Sequence, residues 1–205
     1  GAAKLFARHG YSAVSLMDIC TSLDMTKGAL YFYFTSKEEL AAAIIDEQRS
    51  IVASSLNAID ESAASSVEKI VMATHELARL LCSNPLVRAG TRLSDDASTG
   101  RNQRLDDWLA WFEHQTQRAV NDGEIVTELE PSALARFLLS SFTGVSVVST
   151  LTTRRADLHQ RLDEMWAVLF PAILEPALRD RADEIRQVRY RQVGRRKRAQ
   201  LAVVQ

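Results

Sequence analysis

Apolar residues recur at a spacing close to 3.6 along almost the whole chain. This period predicts amphipathic α-helices, because positions i, i+3, i+4 and i+7 share one face of a helix. The sequence shows no sustained alternation of apolar and polar residues and no turn chemistry of a β-hairpin. The pattern therefore predicts about ten helices and no sheet, which is the all-α class.

Capping residues divide the first fifty positions into short helices. A first helix is expected to end at Gly10, and Ser15 and Thr26 each precede an apolar run as N-cap residues. Ser36 opens a longer helix, with Glu39 three positions on to complete an S-x-x-E capping box. Three short helices leading into a long one predict a compact N-terminal domain.

The rest of the chain is predicted to form a larger helical body. A linker of small and acidic residues is expected at 57–66, and loops are expected at 94–102 and 121–124. The apolar period predicts helices at 67–83, 85–94, 102–121, 131–151, 157–174 and 177–191. We divide the chain into an N-terminal domain at 1–46, a body at 47–192 and a basic tail at 193–205.

Composition fits a folded chain and leaves its partners open. Of 205 residues, 46% are hydrophobic and 25% are charged, which suits a core with a solvated surface. The 25 Lys and Arg balance 26 Asp and Glu, so net charge neither favours nor excludes nucleic acid. The basic run from Arg186 to Arg198 is interpreted as a solvated extension, with contact to DNA as the alternative, and is assigned no site.

Cysteine usage and targeting signals favour a cytoplasmic protein. Cys20 and Cys82 lie singly within apolar helical patterns, which predicts reduced thiols in a cytosolic core. No secretion signal is evident, and the most apolar stretch, 132–151, contains Arg136 and is expected to be a buried helix instead of a membrane span. The chain opens without Met in a helical pattern, so we expect its true N-terminus to be missing.

The stretch TKGALYFYF at 26–34 predicts the second helix of a helix-turn-helix, because the short turn Asp24-Met25 joins it to the preceding helix. Lys27 can donate to guanine edges or to phosphates. The aromatic residues offer hydroxyls to phosphates and ring faces to thymine methyl groups. These residues are Tyr31, Phe32 and Tyr33.

Two further positions support a DNA-binding reading of this stretch. Gly28 lowers helix stability, which indicates that something approaches the backbone closely there. Lys37 and the amides at the start of the next helix can hold another phosphate. The alternative is that the aromatic residues form a core and Lys27 is solvated. The net charge of residues 1–40 does not decide between them, since four basic and four acidic residues cancel, but the spacing of the residues in this stretch favours DNA binding.

The segment YSAVSLMDICTSLDMTKGALYFYFTSKEELAAAI, residues 11–44, strongly resembles the DNA-binding domain of TetR-family transcriptional regulators. The pattern T-K-G-x-L-Y-x-x-F followed by S-K-E-x-L carries the resemblance. It implies binding to double-stranded operator DNA, with Ser15 capping the helix that crosses the DNA backbone and Lys37 on a phosphate. The residues it places at the operator are Thr26, Lys27, Gly28, Tyr31 and Tyr33.

In the body, one face of the helix predicted at 102–121 carries Leu105, Trp108, Phe112, Gln115 and Ala119. A buried indole N–H needs an acceptor, so Trp108 can donate to a small oxygenated ligand. The alternative is a core tryptophan whose N–H is bonded to a backbone carbonyl.

Two segments, PLVRAGTRLSDD at 85–96 and LDEMWAVLFPAIL at 162–174, resemble the γ-butyrolactone autoregulator receptors, a TetR-family branch that controls antibiotic production. The resemblance implies a lactone or butenolide effector, a quorum-sensing signal whose carbonyl accepts from Trp108 and whose hydroxyls reach Gln48 or Thr143. The residues expected to line its alkyl tail are Leu77, Leu81, Val87, Phe112 and Val147.

The helices at 131–151 and 157–174 are predicted to form a dimer seam, because their apolar stripe is wider than one small body needs. The alternative is that the stripe closes the core of one protomer. A homodimer is favoured, since two helix-turn-helix units one helical turn apart match a palindromic operator. The expected interface residues are Leu138, Val145, Leu158, Leu162, Met165, Trp166, Leu169, Phe170 and Ile173.

A ligand-released repressor is the leading hypothesis, with ligand and DNA favouring different conformers. A TetR-type regulator sensing another small molecule, such as an antibiotic or a drug, is the alternative. A helical enzyme is disfavoured because the histidines are scattered and no H-E-x-x-H, G-x-S-x-G or Cys/His metal spacing occurs. No cofactor, metal or membrane partner is expected.

Overall fold

The computed structural model describes the backbone of residues 1–95 and 103–190, and the side chains of 1–95 and 106–190. The tail at 193–205, most of the loop expected at 94–102 and the side chain of Leu105 lie outside the described residues. Within the described ranges every regular element is a helix, and Ile125 and Leu174 form an isolated antiparallel bridge. The all-α prediction is confirmed.

The elements follow one another with short connections. In chain order they are α1 (Ala2–His9), α2 (Leu16–Leu23), α3 (Lys27–Tyr33), α4 (Lys37–Asp60), α5 (Ser66–Ser83), α6 (Pro85–Asp95), α7 (Gln103–Asn121), α8 (Pro131–Thr153), α9 (Leu158–Ile173), a 3-10 helix (Pro176–Arg181) and α10 (Ala182–Arg186).

Helices α1 to α3 and the first part of α4 enclose a small core of their own. Phe6, Ile19 and Leu30, one from each short helix, are almost fully buried in it. Gly10 ends α1 with φ of 83°, a left-handed conformation that glycine adopts without the steric penalty of a side chain. The N-terminal unit predicted from the capping residues is therefore present.

The body encloses a second and larger core, with α5 at its centre. Thirteen of the 18 residues of α5 are buried, so this helix is covered on nearly every side. Helices α4, α6, α7, α9 and α10 pack against it. The largest fully buried side chains of the body include Phe112, Phe142, Trp166 and Phe170.

Helices α4 and α6 belong to both cores and connect them. In α4, Ile44 packs in the N-terminal core, and Val52 packs in the body core. In α6, Leu93 packs in the first core and Val87 in the second. The two units therefore share packed side chains instead of being joined by a flexible linker.

Two element boundaries and one burial prediction were wrong. The linker expected at 57–66 starts later, because α4 continues to Asp60 and buries Ile59 in the body core. The helix expected at 177–191 is divided into the 3-10 helix and α10, and Ile185 is its buried residue, too little apolar contact to hold a long helix. Cys82 is exposed, whereas Cys20 is buried as predicted.

One helix of the described part of the chain, α8, is long and apolar enough to cross a membrane by length and composition. Core helices of soluble proteins pass the same test, so the observation is weak on its own. In this fold α8 packs against α7 and α9, with Leu134, Leu138 and Phe142 buried.

Candidate DNA-binding surface and ligand site

The connection between α2 and α3 has the geometry of a helix-turn-helix. Ser15 and Asp18 form a reciprocal capping box at the start of α2, with the Asp18 N–H donating to Ser15 Oγ at 3.1 Å. Asp24 takes a left-handed conformation, φ 51°, to turn the chain. Thr26 then caps α3 by accepting from the Ala29 N–H at 3.2 Å. Both caps were predicted from the sequence.

The two faces of α3 have opposite character. Leu30 is 4% exposed and Phe34 is partly buried, so these residues pack inward as their spacing predicts. The three aromatic residues of the DNA-binding prediction point outward: Tyr31, Phe32 and Tyr33 are 41%, 84% and 67% exposed. The alternative that these aromatic residues form a core is therefore wrong.

Open space surrounds the first turn of α3. A Cβ built on Gly28 would meet no atom within 4 Å, so nothing inside the described protein uses the close approach that glycine permits. Lys27 Nζ lies 5.5 Å from the centre of the Tyr31 ring and has no ion-pair partner among the described residues. This turn presents a free ammonium beside accessible backbone, an arrangement suited to a phosphate or a base edge.

Two carboxylates of this unit are engaged in hydrogen bonds, Asp18 in the cap of α2 and Glu38 with Tyr11. Hydrogen bonds from Ser15 lower the pKa of Asp18, and a hydrogen bond from the Tyr11 hydroxyl lowers the pKa of Glu38. The Lys37 ammonium lies 4.1 Å from the centre of the Tyr11 ring. Because α3 itself contains no acidic residue, its outer face is cationic and aromatic although the unit is neutral overall.

The predicted ligand residues mostly converge on the core of the body. Trp108 is 3% exposed and packs edge-on against Phe142, with the ring centroids 6.3 Å apart. Four of the five apolar residues expected along the ligand tail are buried in the same core, and the fifth, Val147, is not. The four are Leu77, Leu81, Val87 and Phe112.

Gln48 differs from the other predicted ligand residues because its buried side chain is polar and unpartnered. It is fully buried on α4, and neither its amide nitrogen nor its amide oxygen has a hydrogen-bond partner. A Cβ built on Gly90 of α6 would lie 2.4 Å from the Gln48 Cβ, so the two helices touch at this point. An unsatisfied buried amide costs about 1–3 kcal/mol, so Gln48 is a candidate for contact with a bound polar group.

The two remaining predicted ligand residues behave differently from the others. The Thr143 hydroxyl donates to the Leu139 carbonyl of its own helix at 2.8 Å, and the residue is half-buried. Val147 is 51% exposed on the outer face of α8, so its assignment to the ligand tail was wrong. The apolar period identified α8 as a core helix without fixing which residues face inward.

Sequence reasoning missed further polar groups on α7. The Trp111 indole N–H and the Thr116 hydroxyl are buried without a partner. Gln115 donates to Asp60 at 2.7 Å through its amide nitrogen, which leaves its carbonyl oxygen unpartnered. These residues are visible in the sequence as side chains with polar ends on or beside the Trp108 face of α7. They were given no ligand role because the helix was analysed only for its apolar residues.

Most of the predicted dimer residues close the core of the protomer. Trp166 is 1% exposed, and its indole N–H donates to Thr74 Oγ1 on α5 at 3.1 Å. Helix period alone cannot separate an inward stripe from an outward one when both are apolar. The residues whose assignment is corrected are Leu138, Leu158, Leu162, Trp166, Phe170 and Ile173, all at most 9% exposed.

The other face of α8 and α9 carries an open apolar surface. A groove of about 530 Å³ runs between the two helices, and Val145, Met165 and Leu169 of the original prediction line it. Phe137, Val148 and Val168, also in its lining, are 52%, 46% and 76% exposed. We call this surface the α8–α9 face.

An exposed cationic second helix in a helix-turn-helix, joined to a helical body with unpartnered polar groups, defines a helix-turn-helix regulatory protein. Residues 1–44 match the model for bacterial regulatory proteins of the tetR family, and residues 64–175 match the tetracyclin repressor-like C-terminal domain. The chain belongs to the TetR family.

Relatives within the family are informative. The chain is 34% identical over 178 residues to the A-factor receptor protein of Streptomyces griseus, covering 86% of this chain and 62% of that protein. It therefore spans less than two thirds of that relative's length. A solved γ-butyrolactone receptor, an ArpA-like protein, superposes with a TM-score of 0.79 at 30% identity over 90% of each chain.

CprB from Streptomyces coelicolor, solved in complex with its biological operator sequence, superposes equally well. Its TM-score is 0.79 at 30% identity, covering 91% of this chain and 93% of that one. The family resemblance inferred from the sequence is confirmed.

Proposed function

We propose that this protein is a transcriptional repressor that binds palindromic operator DNA as a homodimer and leaves it when a γ-butyrolactone or butenolide enters the body. The buried, unpartnered amide of Gln48 carries the proposal. The amide lies on α4, the helix that continues from the DNA-binding unit into the body. By this proposal the regulated genes belong to antibiotic production, as the names of the relatives suggest.

The outer face of α3 supports operator binding. Thr26, Lys27, Gly28, Tyr31, Phe32 and Tyr33 are all exposed on one short helix. The Thr26 oxygen accepts the capping bond, which leaves its hydroxyl proton for a phosphate. Lys37 and the Ser15 cap are assigned to flanking phosphate contacts. Relatives of this protein act on DNA, and one was solved with its operator.

The chemistry of the body core supports a small, largely apolar effector with a few oxygens. Trp108, Leu77, Leu81, Val87 and Phe112 provide the apolar wall, while Gln48 can both donate to and accept from a lactone. A lactone carbonyl satisfies the amide nitrogen, and a hydroxyl satisfies the amide oxygen. Thr143 remains a second candidate for a hydroxyl contact, since its oxygen can still accept.

The α8–α9 face supports the homodimer. Phe137, Val148 and Val168 form an exposed apolar surface around the groove, and exposed patches of this kind mark interaction sites. Packing α8 and α9 against their symmetry mates gives a four-helix bundle with an isologous interface. Pairing through this face retains Val145, Met165 and Leu169 of the interface first expected and leaves the inward stripe in the core of the protomer.

The test is fluorescence anisotropy of labelled palindromic DNA taken from upstream of the protein's own gene. We expect tight, salt-sensitive binding that γ-butyrolactones or butenolides reverse. Gln48→Leu removes the unpartnered amide while preserving shape, so we expect it to bind DNA normally and to lose the lactone response. Gln117→Leu is the matched control, because Gln117 is exposed on α7 and its amide nitrogen already donates to Asn121.

The outcome also separates the alternatives. If the protein binds DNA and no lactone reverses the binding, it is still a regulator, and its effector is another small molecule, such as an antibiotic. Release of the free acid from a lactone would establish an enzyme, which the chemistry of the described core does not favour. We place the protein in the cytoplasm, without a membrane partner and without catalysis, because its relatives are DNA-binding regulators.

A further inference from the structure

A cluster of arginines lies where the turn between α5 and α6 meets the turn between α8 and α9. The Cys82 thiol contacts the Arg155 carbonyl at 3.8 Å across this junction. A cavity of about 290 Å³ opens there, and three of its six lining residues are arginines: Leu81, Cys82, Arg88, Arg154, Arg155 and Ala156. None of the three guanidinium groups forms an ion pair with a described carboxylate.

The nearest acid along the chain is already occupied. Asp157 accepts from the hydroxyls of Ser149 at 2.6 Å and Thr153 at 2.7 Å, and from the Arg161 guanidinium at 2.7 Å. These hydrogen bonds, with the Ser149 hydroxyl first, lower the pKa of Asp157 to about 2. Asp157 therefore holds the turn together and leaves the charges of Arg154 and Arg155 uncompensated.

The end of α5 compensates only a small part of the charge. Arg88 Nη1 donates to the Leu81 and Cys82 carbonyls at 3.2 and 2.7 Å, in the last turn of α5. A helix C-terminus carries about half a negative charge. Three positive charges thus face about half a negative one, and the Arg88 nitrogens other than Nη1 remain available.

Arg154 and Arg155 differ from Arg88 in their backbone conformation, and Arg155 also has an unpartnered hydrogen-bond donor. Arg155 Nε is buried and has no partner, and burial lowers the pKa of the Arg155 guanidinium. Arg154 and Arg155 both have left-handed backbones, with φ of 55° and 71°. Arg154 is the C-cap that ends α8, and left-handed conformations of residues other than glycine are strained and concentrate at functional sites.

We propose that this cavity binds a small anion that carries a phosphate or a carboxylate group. Guanidinium groups match both groups through paired, charge-assisted hydrogen bonds. The free Nε of Arg155 and the remaining donors of Arg88 and Arg154 supply those bonds, and the cavity volume limits the occupant to a small molecule. The cavity shares Leu81 with the proposed lactone wall, but its three arginines are not part of that wall, and the anion site stands whether or not that proposal holds.

Inorganic phosphate and acetate are the probes, titrated at constant ionic strength against the full chain. Thermal unfolding reports stabilisation, and phosphorus-31 line broadening reports phosphate binding directly. We expect saturable binding by at least one probe and a rise in Tm of about 2–4 °C at saturation. Binding of phosphate alone, of acetate alone or of both identifies the anionic group that the cavity accepts, and each of these results supports the site.

Three variants make the test specific. Arg155→Gln is expected to weaken the anion about tenfold, because it removes a charged hydrogen bond. Arg154→Gln is also expected to weaken the anion. Because the Arg154 side chain is exposed, this variant should fold normally even if Arg155→Gln disturbs the turn. Arg179→Gln is the matched control, since Arg179 also donates to a carbonyl at a helix end and lacks a described ion-pair partner. Equal rises in Tm on adding the anion in all three variants, or a rise that stays linear in anion concentration without saturating, would overturn the proposal.

Discussion

Replacing Gly28 by Ala separates the stability of α3 from its contact with DNA. Gly28 is exposed in the first turn of α3, and a Cβ added there meets no atom within 4 Å. Alanine favours a helix over glycine by about 0.5–1 kcal/mol. We therefore expect Gly28→Ala to raise the free energy of unfolding by about that amount and Tm by about 1–4 °C.

The same methyl group occupies the space in which we place the operator backbone. Steric overlap of one methyl in a packed contact costs about 1–3 kcal/mol. Since 1.4 kcal/mol is a tenfold change in Kd, we expect operator affinity to fall about 5- to 150-fold. The variant is thus more stable and less active, a combination that loss of folding cannot produce.

Urea titration followed by circular dichroism measures the stability, and anisotropy with labelled operator DNA measures the affinity. Ala53→Gly, at an exposed position within α4, is the control and should lose stability with unchanged DNA affinity. If Gly28→Ala binds the operator as tightly as the wild type, the backbone of this turn does not approach DNA.

Three further predictions follow from the packing of the body. Arg92→Ala removes hydrogen bonds from Arg92 to the Ala7 and Arg8 carbonyls, so urea titration should show a loss of about 1 kcal/mol and anisotropy a weaker coupling of ligand to DNA. Val168→Glu places facing charges on the α8–α9 face, and light scattering should show monomers. Burial, followed by the nearby charges of Arg189 and His159, lowers the pKa of His75 from 6.5 to about 3. Stability present above pH 6.5 should therefore fall as pH drops toward 3, and His75→Gln should flatten this slope.

Local hydrogen bonding explains why the N-terminal unit could be predicted from the sequence. Ser15, Thr26 and Ser36 each accept a bond from an N–H three residues on, so a short window contains both partners. The outward aromatic residues of α3 were predicted from the helix-turn-helix spacing of 26–34 and, for Tyr31 and Tyr33, also from the family motif. Neither composition nor net charge carries that information, because the charges of the unit cancel.

Long-range pairing explains why the body could not be predicted to the same depth. Trp166 finds its acceptor in Thr74, 92 positions earlier, and no local pattern reveals that pairing. Both faces of α8 are apolar, so the helical period identified the helix but not its inward side. Gln48 was named from the family resemblance, but the sequence could not show that its buried amide lacks a hydrogen-bond partner.

We propose that the contact of Gln48 with Gly90 is the physical link between effector and operator. The α4 and α6 backbones approach so closely there that a Cβ on residue 90 would overlap the Gln48 side chain. We expect a ligand group that bonds the Gln48 amide to shift one of these helices against the other, because the contact leaves the Gln48 side chain little room to move by itself. Because α6 also holds α1 through Arg92, and α4 continues from α3, this shift changes the position of α3 relative to the body. Linkage then requires that operator binding weaken the effector by the same factor by which the effector weakens the operator.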